Sequence, residues 1–180
     1  MKRFFALCLG LWIGMVGPVL AAGEGGGWEM VSTNRGIQVE RKTMPDSPLF
    51  AFRGEGVVNV PMGLLVTVLL TDEIALDWVD LITAHTVIRP INATEKIIYE
   101  SFGLPWPISD RDYVMRQTTG FDPEQRMFTL DFESVNDAAM PEKEDVVRAM
   151  AYRTFWRLKK VDEAHTNVEV EVFTDPKGLL

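Results

Sequence analysis

The strongest constraint on the fold is a run of patterned segments that fills the second half of the chain. "HTVIRPI" (85–91), "EKIIYESF" (95–102), "DYVMRQTTGF" (112–121), "MFTLDFESV" (127–135), "VVRAMAYRTFWRLKKV" (146–161) and "TNVEVEVFT" (166–174) follow one another. Turns such as Asn92-Ala93-Thr94 and Asp122-Pro123 separate them, so they read as an antiparallel meander. In the last, Val168, Val170 and Val172 alternate with Glu169 and Glu171, which sends one face to water and leaves the other apolar. A sheet of this kind must lay its apolar face against something.

Upstream, "GIQVERKT" (36–43) and "LFAFRGEGVVN" (49–59) are joined by "MPDSP" and predict a first hairpin. Pro61 opens "PMGLLVTVLLTD", an almost unbroken apolar run that predicts a buried helix with proline in its first position. Asp72 caps a second predicted helix, "EIALDWVDLI", in which Ile74, Trp78 and Ile82 share a face at spacing four. The class is therefore α+β: a hairpin, two short helices, then the meander. Two short helices are too small to cover such a sheet. A long C-terminal helix is the expected cover, and it is expected to be absent from this chain, which stops at Asp175-Pro176-Lys177-Gly178-Leu179-Leu180.

The first 21 residues read as an export signal. Lys2 and Arg3 supply the positive start, Phe4 to Val16 is apolar, Gly17 and Pro18 break the run, and Val19-Leu20-Ala21 offers a small-residue cleavage site. The alternative is an uncleaved membrane anchor, since a span needs roughly 20 apolar residues. Residues 22–27, "AGEGGG", form a flexible lead-in to a domain over 28–180. The expected destination is the periplasm or the outside of the cell. The single cysteine, Cys8, lies in the signal, so the mature protein relies on packing and not on disulfides. Loss of Lys2 and Arg3 moves the formal charge from -8 to -10, which argues against nucleic acid and against electrostatic adhesion to an anionic bilayer.

Conventional catalytic patterns find no support. The two histidines, His85 and His165, each lie beside a turn without metal-ligand spacing and are expected at the surface, so no metal is expected. No serine stands in a G-x-S-x-G context, and the glycines of "RGEGVV" lack the Lys-Ser/Thr of a phosphate loop. They suit a strand that bends tightly. On the sheet, Phe128, Leu130 and Phe132 alternate with Thr129, Asp131 and Glu133, and Tyr152, Thr154 and Trp156 are expected on the same inner side, with Val170 beside them.

The order of elements, with "GIQVERKTMPDSPLFAFRGEGVVNVP", "LDWVD", "FGLPWPISDRDYV", "VVRAMAYRTFWRL" and the closing "DPKG", resembles the START domain, a lipid-transfer module of the helix-grip (Bet v 1-like) superfamily, and especially its exported bacterial members. The resemblance implies a curved antiparallel sheet gripping a C-terminal helix, an apolar tunnel holding one lipid or sterol-like molecule, no cofactor and, as is usual in the family, no catalysis. It points to Trp78, Glu100, Phe102, Tyr113, Met115, Gln117, Phe128, Leu130, Phe132, Arg148, Tyr152, Trp156 and Val170 as cavity candidates. In the family a Glu in the strand before the "RD" block stands near an Arg after it. Here Glu100 matches the first position and Gln117 occupies the second, so either the two hydrogen-bond or the ligand preference has changed.

In "SDRDY" an extended backbone points Asp110 and Asp112 one way and Arg111 the other, so the triplet cannot converge on one ligand atom. A structural clamp is expected, with Arg111 bound to a neighbouring carboxylate or to carbonyls of the proline-rich turn. Trp106, between two prolines, is either a packed turn or an exposed aromatic that touches a membrane during lipid loading, and the packed turn is expected. Besides a lipid carrier, two other functions fit: a polyketide cyclase or dehydratase using Glu100, Tyr113 and Arg148, and a groove for an amphipathic peptide.

Overall fold

The computed structural model describes residues 27–178. The expected signal at 1–21 and all of the lead-in except Gly27 lie outside the described residues. Ten strands form one sheet in the order β1-β2-β3-β10-β9-β7-β6-β5-β4, with β8 paired to β6 off that path. The strands are β1 Glu29–Asn34, β2 Ile37–Thr43, β3 Phe50–Val58, β4 Ile82–Pro90, β5 Glu95–Phe102, β6 Asp110–Asp122, β7 Met127–Ser134, β8 Val146–Arg148, β9 Met150–Lys160 and β10 Thr166–Asp175. Between β3 and β4 lie helix α1, Met62–Leu70, a 3-10 turn, Asp72–Ile74, and helix α2, Ala75–Trp78. This is the helix-grip fold.

Register assigns the inner face. Phe128 stands opposite Leu158, which stands opposite Val168, and Leu130, Trp156 and Val170 form the next such row. Phe132, Thr154 and Val172 form the third. On β3 the positions facing Val168 and Val170 are Gly56 and Gly54. A side chain at Gly56 would meet the Gly36 carbonyl oxygen at 3.1 Å and Ile37 Cγ1 at 3.3 Å, so the close crossing of the β1–β2 turn leaves little room for one there. Leu65 of α1 packs into these rows, with Val66 and Leu69 beside it, and Trp78 of α2 sets its ring edge-on to Trp156 at 6.5 Å.

The outer face of β4, β5 and β6 is covered as well. Ile97, Tyr99 and Val114 are buried under Val135 and Met140, which belong to the long connection from β7 to β8. Lys143 donates to the Tyr99 hydroxyl at 2.8 Å across this layer.

Four elements differ from expectation. Strand β1 was not anticipated. Its sequence has little alternation and most of it is exposed, so what holds it is a tight turn in which Arg35 and Gly36 both take positive φ, at 52° and 80°. Helix α1 begins at Met62 with Pro61 just outside it, and only Leu65 is fully buried. The second helix stops at Trp78, not at Ile82: Leu81 turns the chain at φ 63°, and Ile82 pairs with Phe102 as β4 begins. The single long strand expected over 146–161 is two, because Val146–Arg148 runs parallel to β6 at Asp110–Asp112 while Met150–Lys160 joins β7 and β10. Ala149 between them is buried and gives its N–H to the Asp112 carbonyl at 3.0 Å.

Candidate functional site

Most of the cavity candidates share the inner face. Register carries it from Phe132 to Gln117 and Lys96, from Ser134 to Met115 and Ile98, and on to Tyr113 opposite Glu100 and Arg111 opposite Phe102. Phe128, Leu130, Trp156, Val170, Met115 and Ile98 are buried there, and Phe102 and Tyr113 meet edge-to-face at 5.7 Å. An apolar wall thus crosses five neighbouring strands, from β10 to β5, and becomes polar toward β4.

The polar end is a chain of four ionisable groups. His85 of β4 stands opposite Glu100 of β5, with Nδ1 3.0 Å from Glu100 Oε1. Its Nε2 lies 2.9 Å from Asp72 Oδ1, in the 3-10 turn. Lys96 donates to both Asp72 oxygens, at 2.5 and 2.6 Å. The His85 side chain is only 7% exposed, which corrects the expectation of a surface histidine. Both ring nitrogens face carboxylate oxygens, and only the imidazolium has two N–H groups to donate. The bond to Glu100 is the largest influence and raises the His85 pKa above its ordinary value, burial opposes it, and the bond to Asp72 adds to the rise. Burial pushes the Asp72 carboxyl up, but the bonds from Lys96 and His85 outweigh it and leave Asp72 below the usual carboxylate range. Burial drives the Tyr113 hydroxyl well above its ordinary value against the pull of Arg111, and Glu100 and Asp175 push the same way, so Tyr113 stays neutral.

Three further expectations are corrected. Gln117 does not meet Glu100: register sets it opposite Lys96 and four residues along the sheet from Tyr113, about 13 Å away. Gln117 remains on the inner face and is 4% exposed. Arg148 is not a cavity residue. It lies with Asp112 on the outer side, donating from Nε to Oδ1 at 2.7 Å and from a terminal nitrogen to Oδ2 at 3.1 Å, because β8 pairs with β6 there and parallel partners share a face. The bond to Asp112 raises the Arg148 pKa further, although burial opposes it. Tyr152 turns outward, 43% exposed and stacked on Phe173 at 4.6 Å. The cause is an irregularity in the β9–β10 register: Phe173 pairs with Arg153 but Thr174 pairs with Ala151, so Tyr152 is the extra residue and strict alternation fails.

The Asp-Arg-Asp triplet separates as an extended backbone requires. Asp110 Oδ1 accepts the Leu104 N–H at 2.9 Å, which ties down the proline-rich loop. Buried Arg111 donates to the carbonyls of Pro176 at 3.2 Å, Lys177 at 2.9 Å and Ser109. Asp112 takes Arg148. Trp106, at the tip of the same loop, is 93% exposed and not packed, which overturns the packed-turn expectation. Cis Pro107 follows it.

Sequence reasoning missed Asp72, His85 and Lys96 as a group. Counting back through the Asn92-Ala93-Thr94 turn sets Thr86 across from Glu100; a register shift between Val87 and Arg89 brings His85 there instead, and nothing local reveals that shift or that the 3-10 turn brings Asp72 over them. Among the described residues no cluster of His, Cys, Asp and Glu is arranged to hold a metal ion, and no helix is long and apolar enough to cross a membrane.

Comparison with known proteins agrees with this architecture. The chain is 26% identical over 160 residues to the phosphatidylcholine transfer protein of Bos taurus, covering 87% of this chain and 74% of that protein. Human STARD10 superposes with a TM-score of 0.80 at 19% identity, covering all of this chain and 69% of that one. A StAR-related lipid transfer protein from Xanthomonas axonopodis superposes with a TM-score of 0.73 at 25% identity, covering 86% of this chain and 85% of that one. The family model of the START domain matches residues 19–180, and the chain belongs to that family.

Proposed function

We propose that the protein is an exported, non-enzymatic carrier that holds one hydrophobic molecule of the lipid class against the inner face of its sheet. The observation that carries this reading is the apolar wall from Val170 and Trp156 through Leu130, Phe132 and Met115 to Ile98, with the charged cluster of Asp72, His85, Lys96 and Glu100 at one end. That distribution suits a ligand with a long apolar body and one polar group, since a few placed polar atoms orient a ligand that apolar contacts hold. The cyclase or dehydratase reading would need Glu100, Tyr113 and Arg148 to converge on one point. Arg148, one of the three residues such a centre would use, lies on the other side of the sheet.

Loading and delivery take place at a membrane through Trp106, whose exposed indole suits the interface between headgroups and acyl chains. Native mass spectrometry of the protein purified from cells, with extraction of what it holds, is expected to show one bound lipid. Trp106→Ala is expected to slow transfer of a fluorescent lipid between vesicles while leaving the urea midpoint unchanged. A protein that stays empty against a broad lipid panel and turns over a polyketide-like substrate would overturn the carrier reading.

A further inference from the structure

The helical segment 62–78 is fastened to the sheet by a polar attachment with an unusual form. Asp72 sits between α1 and α2, and its carboxylate is gripped by His85 from β4 and Lys96 from β5. His85 is itself held from the other side by Glu100. Two carboxylates flank one ring, so the geometry is complete only when the ring carries both protons. In the neutral ring one nitrogen presents a lone pair to a carboxylate, and an attraction at about 3 Å becomes a repulsion.

Among the described residues the surroundings supply no substitute. From β5, Glu100 and Lys96 face the ring system, and from the 3-10 turn Asp72 does. From β6, Tyr113 stands across from Glu100 and is neutral. Glu73 of the 3-10 turn and Asp77 of α2 are exposed. With the ring protonated, the two carboxylates are balanced by two cations. Without that proton, a mostly buried cluster carries one uncompensated negative charge, and Lys96 alone holds Asp72.

We propose that Asp72, His85 and Lys96 form a latch that holds segment 62–78 against the sheet, and that the latch loosens as pH rises and His85 gives up its proton. The segment carries Leu65 and Trp78, which pack on the inner rows, so loosening it opens that face from the α1 side. The device is a property of the ligand-free chain, so it stands or falls separately from lipid carriage.

Hydrogen exchange of the wild-type protein from about pH 5 to about pH 9, corrected for the intrinsic pH dependence of exchange, tests the latch alongside an NMR titration of the His85 ring. His165→Asn, at the β9–β10 turn, leaves His85 as the one ring signal. Protection over 62–78 is expected to fall as pH rises, with the midpoint of the His85 ring, while Met127–Ser134 and Thr166–Asp175 keep theirs. By linkage, the fold-loss of protection grows about tenfold for each pH unit separating the ring's midpoints in the closed and open states. His85→Gln is expected to flatten the profile. Protection that stays level through the ring's titration, a ring midpoint at or below that of free histidine, or an unchanged profile in His85→Gln would each overturn the latch. The wild-type comparison decides the matter even if the variant does not fold.

Discussion

Replacing Arg148 by methionine leaves the Asp112 carboxylate, whose side chain is 0% exposed, without the cation that takes both of its oxygens. The carboxylate cannot recover water, because β6 lies between β5 and β8 at that point and the 135–149 segment lies over it. Removing one partner from a buried pair costs about 3–5 kcal/mol. Asp112→Asn is the milder perturbation: the amide still accepts from Arg148, whose side chain is 14% exposed and also donates to the carbonyls of Met140 and Pro141. It loses a charged hydrogen bond worth about 1.5–3 kcal/mol. The expected order is therefore Arg148→Met worse than Asp112→Asn. The double variant is expected to be less damaging than the sum of the two, with a coupling of about 2 kcal/mol. Urea unfolding of all four proteins measures this cycle, and the Arg148→Met melting temperature should drop by roughly 6–20 °C for a domain of this size. A cost below about 1 kcal/mol for Arg148→Met, or strict additivity, would show that the outer layer does not depend on this pair.

Leu130→Ala removes a fully buried side chain from the central inner row and should cost about 2–5 kcal/mol in urea unfolding. Tyr152→Ala should leave ligand occupancy in native mass spectrometry unchanged, whereas Trp156→Ala, on the inner face of the same strand, should lower it. Stability should depend on pH through the Asp72 chain. The depressed Asp72 carboxyl contributes above about pH 4 and is lost as pH falls through its folded value, while the raised His85 contributes below about pH 6.5 and is lost as pH rises through its folded value. The urea midpoint should therefore be highest between those limits, and Asp72→Asn should flatten the acid side of the profile while only reducing the alkaline side, where Glu100 still acts on His85.

Strands bounded by strong turns were legible in the sequence. Strand β5 occupies 95–102 as expected because an Asn-Ala-Thr turn and the proline-rich loop bound it, and β10 follows its valine alternation. Alternation failed where one extra residue entered a strand: at Tyr152 it reversed the face of a whole side chain. It also failed at Ala149, because a buried alanine gives no local sign that the chain leaves one partner strand for another. Trp106 was misjudged because flanking prolines stiffen a turn without saying what the indole touches. The Asp72–His85 contact joins residues 13 apart through a 3-10 turn whose placement depends on the whole α1–β4 connection, so no spacing rule reveals it.

Arg111 gathers carbonyls from two distant parts of the chain, Ser109 at the base of the Trp106 loop and Pro176 and Lys177 just after β10. One rigid guanidinium thus serves as a shared mooring for the most exposed tryptophan side chain and for the exit of the last strand. Any displacement of the loop would pull on the same planar group that holds the strand's end. The loop before β6 and the chain some 65 residues further along are thereby tied to one side chain.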